Sequence, residues 1–324
     1  MTSDLKLRAL LAAWRSPIPD PKLSIRDFEP VISAHRRNLR RVHALTHFPM
    51  ALISGLTIVH RNTKNVLDAI GAEKNKSISK DEIKRRVVAA MTETLDERDE
   101  ILNKKDEKAN ALREVEEKYA IETMNIFLST DMADGADAWL SAQITGIWTS
   151  CEAMAEDLWE TALNIHPSGL AELSGANKGQ QEKSIELNKL SRWKYDVSKC
   201  MGTILKEKYN FDSLEGKRSV REAYADAFND DGINSIIGHK SFTALNLVRN
   251  LIVHTGGICD ENYLRRKADL PPAAIGKLGF PLIIDGELTA ALIVEPMHKS
   301  VELIIAVDKW ISDAVSARTP TTTP

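Results

Sequence analysis

Arg249, Asn250 and His254 stand in the segment ALNLVRNLIVHTGG, where an apolar run with helical spacing stops at a glycine pair. A guanidinium offers a planar fork of N–H donors to phosphate oxygens, and an imidazole gives and takes protons near neutral pH. At 100° per residue, Ala244, Leu245, Leu247, Val248, Leu251 and Ile252 share one broad face. Thr243, Asn246, Asn250 and His254 share the opposite stripe, and Arg249 flanks it. Asn250 precedes His254 by one helical turn, so its amide is placed to hold the imidazole. Gly256 or Gly257 is the expected C-cap. A helix end carrying Arg, Asn and His around one surface suits a phosphodiester.

The same residues have a purely structural reading, because the helix macrodipole favours a cation at a C-terminus without any catalysis. Spacing alone does not decide between the two. Arg36 and Arg37 with His43, and Arg40 and Arg41 with His47, give similar intervals in RRNLRRVHALTH. No glycine-terminated apolar helix surrounds that cluster. It reads as a solvated basic face, or as a helix that docks RNA.

The elements that must position Arg249 and His254 are helical. The segment AWLSAQITGIWTSCEAMAEDLWETALN carries Leu140, Ile144, Ile147, Cys151, Met154, Leu158 and Ala162 as a core stripe. Glu152 lies at the edge of that stripe, either as a partner for Arg249 or His254 or as an exposed flank acid. Arg265, Arg266 and Lys267 follow the Arg249 helix closely and are candidates for holding phosphates, with solvated surface charge as the alternative.

Upstream, Ser79-x-x-Glu82 is a capping box that opens a long charged helix or helical hairpin. Arg98 and Lys105 fall at its core positions, which argues against a strong coiled coil. Further helices are expected at residues 184–208 and 217–229, with NDDG as a turn. In FPLIIDGELTAALIV two β-like runs flank Asp285-Gly286, a hairpin signal before the last helix. The small and acidic stretch STDMADGAD marks a boundary. The expected organisation is an N-terminal helical region over residues 1–130, a helical domain over 131–317 and a disordered Thr/Pro tail over 318–324.

Composition bounds the rest. The chain has 324 residues, 43% hydrophobic and 27% charged, with a net charge of −3, as in an ordinary soluble protein. Nothing global points to nucleic acid. Cys151, Cys200 and Cys259 lack metal-ligand spacing and read as reduced thiols of a cytoplasmic protein. The apolar run over residues 48–59 is too short to span a bilayer, so no membrane segment is expected. No phosphate loop, metal cluster or serine elbow is present, so neither a cofactor nor a metal is expected.

ALNLVRNLIVHTGGICDENYL resembles the signature segment of the HEPN superfamily, in which an Arg, a polar residue, three to five further residues and a His lie on a late helix. WTSCEAMAEDLWETAL resembles the earlier core helix of that family. The resemblance covers roughly residues 135–316 and is specific at Arg249, Asn250, His254 and Gly257. It implies an all-α helical bundle and a metal-independent endoribonuclease acting as a homodimer on RNA. Arg249 would stabilise charge on the scissile phosphate, His254 would act as acid or base on the 2′-OH or the leaving oxygen, and Asn250 would orient His254 or bind phosphate. It also implies a toxin or anti-phage defence role, with silencing by an antitoxin or by a sensor region of the chain itself. Some HEPN members serve only as dimerisation scaffolds, so a non-catalytic dimerisation or sensor module is the alternative expectation.

Overall fold

The structure is a computed structural model that describes residues 6–15, 20–72, 78–104, 106–127, 133–166 and 187–316. Those residues are all-α. The helices are α1 (Leu7–Arg15), α2 (Glu29–Ala72), α3 (Lys80–Asn103), α4 (Glu107–Phe127), α5 (Ala133–Ile165) and α6 (Leu187–Leu190). They continue with α7 (Met201–Lys206), α8 (Val220–Phe228), α9 (Asp231–Ile237), α10 (Lys240–Thr255), α11 (Glu261–Arg265) and α12 (Gly286–Ser316). Among the described residues, extended pairing is limited to isolated bridges, Asn210 with Ser219 and Ile258 with Pro281.

Helix starts follow side-chain chemistry. Ser79, Asp230 and Asp260 each accept a backbone N–H three residues on, satisfying a donor that the first turn leaves open. The expected hairpin at Asp285-Gly286 does not form. Asp285 instead caps α12, accepting from Leu288 N through Oδ1 at 2.8 Å and from Thr289 N through its carbonyl at 3.0 Å. The reason lies in the residues that follow: Leu288, Leu292, Met297, Val301, Ile304 and Ile311 recur at near-helical intervals, and all are buried. A sustained helical stripe outweighs a local turn signal.

The helix expected over 184–208 is also broken. Lys194 and Tyr195 have φ of 53° and 63°, a left-handed pair that separates α6 and its short 3₁₀ extension from α7. The loop HPSGLAELSGANKGQQ and the tail over 318–324 lie outside the described residues.

Two compact units divide the chain, one built on His43–Ala136 and the other on Arg8–Val42 together with the chain from Asp137 onward. This corrects the expected division at residue 130, because residues 8–42 belong with the C-terminal unit. The cause is burial: Phe28, Val31 and Ile32 enter the core formed by Trp159, Tyr224, Phe228 and Ile304. Polar ties reinforce it. His35 is buried, with Nε2 2.7 Å from Ser300 Oγ and Nδ1 3.2 Å from the Ser150 carbonyl. Asp308 accepts the backbone N–H groups of Ser24 at 2.9 Å and Ile25 at 2.8 Å.

All seven residues of the expected α5 stripe are buried. Trp159 donates its indole N–H to the Ala223 carbonyl at 2.8 Å, and Tyr224 donates to the Ala155 carbonyl at 2.7 Å, fastening α8 to α5. The three cysteines are free and buried.

In the unit built on His43–Ala136, α3 and α4 form the hairpin alternative of the sequence reading. Arg98 pairs with Glu116 through Nε at 2.7 Å and Nη2 at 2.9 Å, which accommodates a cation at a nominal core position. Thr94 donates to Asn62 Oδ1 of α2 at 3.2 Å. By length and composition, α2 is the one helix among the described residues able to cross a membrane, and 12% of its most apolar 18-residue window is buried. The expectation from residues 48–59 understated this stretch: Lys, Arg, Asp and Glu are absent from 42 through 59.

Candidate functional site

α10 ends where the sequence places its chemistry. Gly256 and Gly257 both have positive φ, 62° and 82°, and Gly257 N donates to the Leu251 carbonyl at 3.0 Å. A left-handed glycine cap of this kind stops the helix one residue beyond Thr255 and leaves His254 in the last turn. The core face is set by Phe242, Ala244, Leu245, Val248 and Leu251, with Leu247 and Ile252 half-buried.

His254 is exposed, and its imidazole makes no hydrogen bond to any described residue. Arg249 is half-buried. Its Nη1 donates to Asn250 Oδ1 at 2.8 Å, while its buried Nε has no partner. Asn250 Nδ2 donates to Asn246 Oδ1 at 3.2 Å. Asn250 therefore holds Arg249 and Asn246 and not the imidazole, which corrects the orienting role read from its spacing. Thr243 departs from its expected polar stripe as well: it is buried and accepts from Arg221 Nη2 at 2.7 Å.

His254 lies five residue steps beyond Arg249, an advance of about 7.5 Å along the axis and a net rotation of about 140° beyond a full turn. The two side chains leave α10 in divergent directions. Asn250 lies between them, and a group held by both must bridge that arc or draw on a second copy of the site.

Glu152 comes to this region from α5. It accepts the indole N–H of Trp148 at 3.2 Å. Burial pushes its carboxyl above the ordinary range, opposed by the Trp148 hydrogen bond and by the Arg249 charge, and reinforced by Asp212 and Glu156. The apolar surroundings that cause this include a cavity of roughly 20 Å³ lined by Met154, Phe211, Leu214 and Phe242. Arg249 thus faces a half-buried acid without forming an ion pair with it. Asp212 was missed by sequence reading; it comes from a loop far along the chain, and no local pattern marks it.

The three basic residues after α10 divide. Arg265 pairs with Glu261 on the surface at 3.4 Å. Arg266 is consumed by two acids, Asp269 at 2.6 Å and Glu215 at 3.0 Å, and Glu215 also binds Arg221. Lys267 is exposed. Arg265 and Lys267 therefore remain more accessible to an anion than Arg266 is.

Exposed apolar residues follow the end of α10. The backbone of 257–259 pairs with that of 280–282, including Cys259 N to the Phe280 carbonyl at 3.0 Å and Leu282 N to the Gly257 carbonyl at 2.8 Å. This pairing turns Ile258, Phe280 and Ile283 outward, with Ile283 74% exposed. Val253, beside His254 in sequence, is exposed too. Among the described residues no group of three or more His, Cys, Asp or Glu is placed to hold a metal ion.

Comparison with family models, with curated proteins and with solved structures finds no match.

Proposed function

We propose that the protein is a metal-independent endoribonuclease of the HEPN type, cutting RNA by attack of the 2′-OH on the adjacent phosphate. The observation that carries this reading is the end of α10: an exposed imidazole five residues beyond a guanidinium whose Nε is buried and unpartnered. A guanidinium pre-held on one side by Asn250 keeps donors for a phosphate at little ordering cost. Arg249 stabilises the charge that grows on the phosphate oxygens, and His254 moves a proton at the 2′-OH or the leaving oxygen. The divergence of the two side chains favours a composite site in a homodimer. The exposed Val253, Ile258, Phe280 and Ile283, at and after the end of α10, supply apolar surface for that contact. The biological role is that of a toxin or an anti-phage effector in the cytoplasm, restrained by an antitoxin or by a sensor region of the chain.

A second reading, a non-catalytic dimerisation module, is favoured by the same apolar surface taken alone. Incubation of the wild type and His254→Ala with labelled RNA in EDTA separates the two. The nuclease reading expects cleavage by the wild type alone. The scaffold reading expects none from either, with dimerisation weakened in variants of that surface.

A further inference from the structure

The first part of α2, up to Val42, belongs to the compact unit that holds α10. Its buried side chains there include Val31, Ile32, His35, Leu39 and Val42, which at 100° per residue fall within an arc of about 100°. Arg37, Arg40 and Arg41 fall within a second arc of about the same width, centred directly opposite the first. All three are exposed, and none makes a hydrogen bond or ion pair to a described residue. Arg36 lies at the margin of this face and is paired with Asp20.

Positive charge gathers here against the balance of the chain. Residues 30–67 contain no Asp or Glu, in a protein whose net charge is −3. Glu29, the acid that precedes them on the helix, lies eight residues before Arg37, about 12 Å along the axis. Like charges three and four residues apart work against a helix, and an anion laid across them turns that repulsion into attraction. The surroundings of the arginines select the anion. No large apolar side chain is exposed in residues 29–42. A helix that docks on a bilayer needs such side chains on its lipid face, and a protein partner takes apolar or aromatic anchors. A phosphodiester backbone needs neither, because guanidinium forks and positive charge suffice. We propose that Arg37, Arg40 and Arg41 hold the phosphate backbone of RNA, a contact that adds affinity without reading sequence. The choice of RNA as the nucleic acid rests on the nuclease reading.

The test is fluorescence anisotropy of the full chain with a labelled single-stranded RNA in EDTA, across a range of salt. Every protein carries His254→Ala, which keeps the strand whole. Arg37→Gln/Arg40→Gln/Arg41→Gln is compared with Lys84→Gln/Lys108→Gln/Lys118→Gln, which removes the same charge from other exposed positions. Circular dichroism checks the folding of both. The arginine variant is expected to bind about tenfold more weakly, and its slope of log affinity against log salt to fall by about 2, for three phosphates at about 0.7 each. The lysine variant is expected to keep both. Unchanged affinity in the arginine variant, equal losses in the two variants, or no RNA binding by the parent overturns the proposal. So does unchanged RNA affinity in the arginine variant with lost sedimentation on phosphatidylserine vesicles, which would assign the face to a bilayer. Binding through the arginines by a chain whose wild type cuts no RNA would remove the nuclease reading and leave this contact standing.

Discussion

Arg249 donates through Nη1 to Asn250 Oδ1 at 2.8 Å, and Asn250 in turn donates to Asn246. The guanidinium is thus anchored by its sequence neighbour, and its buried Nε has no partner. Asn250→Ala removes the anchor and not the charge. RNA cleavage is expected to fall about tenfold, with thermal stability changed by less than about 1 kcal/mol. Parallel single-turnover assays and melting curves measure the two effects.

Arg249 and Glu152 are coupled electrostatically. The guanidinium charge lowers a carboxyl that burial raises. In Arg249→Gln the Glu152 titration is expected to move to higher pH, followed by NMR of the carboxyl carbon. An unmoved midpoint would place the two groups too far apart for Glu152 to influence the site.

His35 makes stability depend on acid. Burial lowers its folded-state pKa from 6.5 to about 4, against a smaller opposing effect of the Ser150 backbone. The unfolded chain therefore binds the proton first as pH falls. The contribution is complete above about pH 6.5 and is lost progressively as pH drops toward 4, by about 3 kcal/mol in all. Denaturant midpoints across that window should fall for the wild type. The fraction of the slope due to His35 should vanish in His35→Gln.

Asp308 holds the segment before α2 by accepting two backbone N–H groups. Asp308→Ala leaves both donors unpaired where the carboxylate was, and about 2–4 kcal/mol of stability is expected to go with it. Urea unfolding measures this. Loss of less than about 0.5 kcal/mol would mean that water replaces the carboxylate there.

Much of this architecture was legible in the sequence. The α5 stripe, the Ser79 helix cap and the glycine end of α10 are local patterns, and each is seen in the structure; the Glu82 half of the expected capping box turns instead to Arg85 and Arg86. What failed was long-range or competitive. Asp285-Gly286 carries a hairpin signal that the α12 stripe overrides. Thr243 is drawn inward by Arg221, and Arg266 by Glu215, an acid 51 residues away. Nothing near either residue in sequence announces such a partner. The membership of residues 8–42 in the C-terminal core likewise depends on contacts with α5 and α12, which no local periodicity reveals.

At the candidate site the residue types were legible and their partners were not. Asn250 sits one turn from His254, yet it bonds to Arg249, because an Arg fork offers more donors to a neighbouring amide oxygen than an imidazole does.

The ends left on cleaved RNA test the account most directly. Wild type and His254→Ala are incubated in EDTA with a short labelled RNA and with the same strand carrying 2′-deoxy sugars, and the fragment termini are identified by mass. The account predicts 2′,3′-cyclic phosphate ends from the wild type on RNA only, no cleavage by His254→Ala, and unchanged melting of the variant. Cleavage of the deoxy strand, or equal cleavage by His254→Ala, would contradict it.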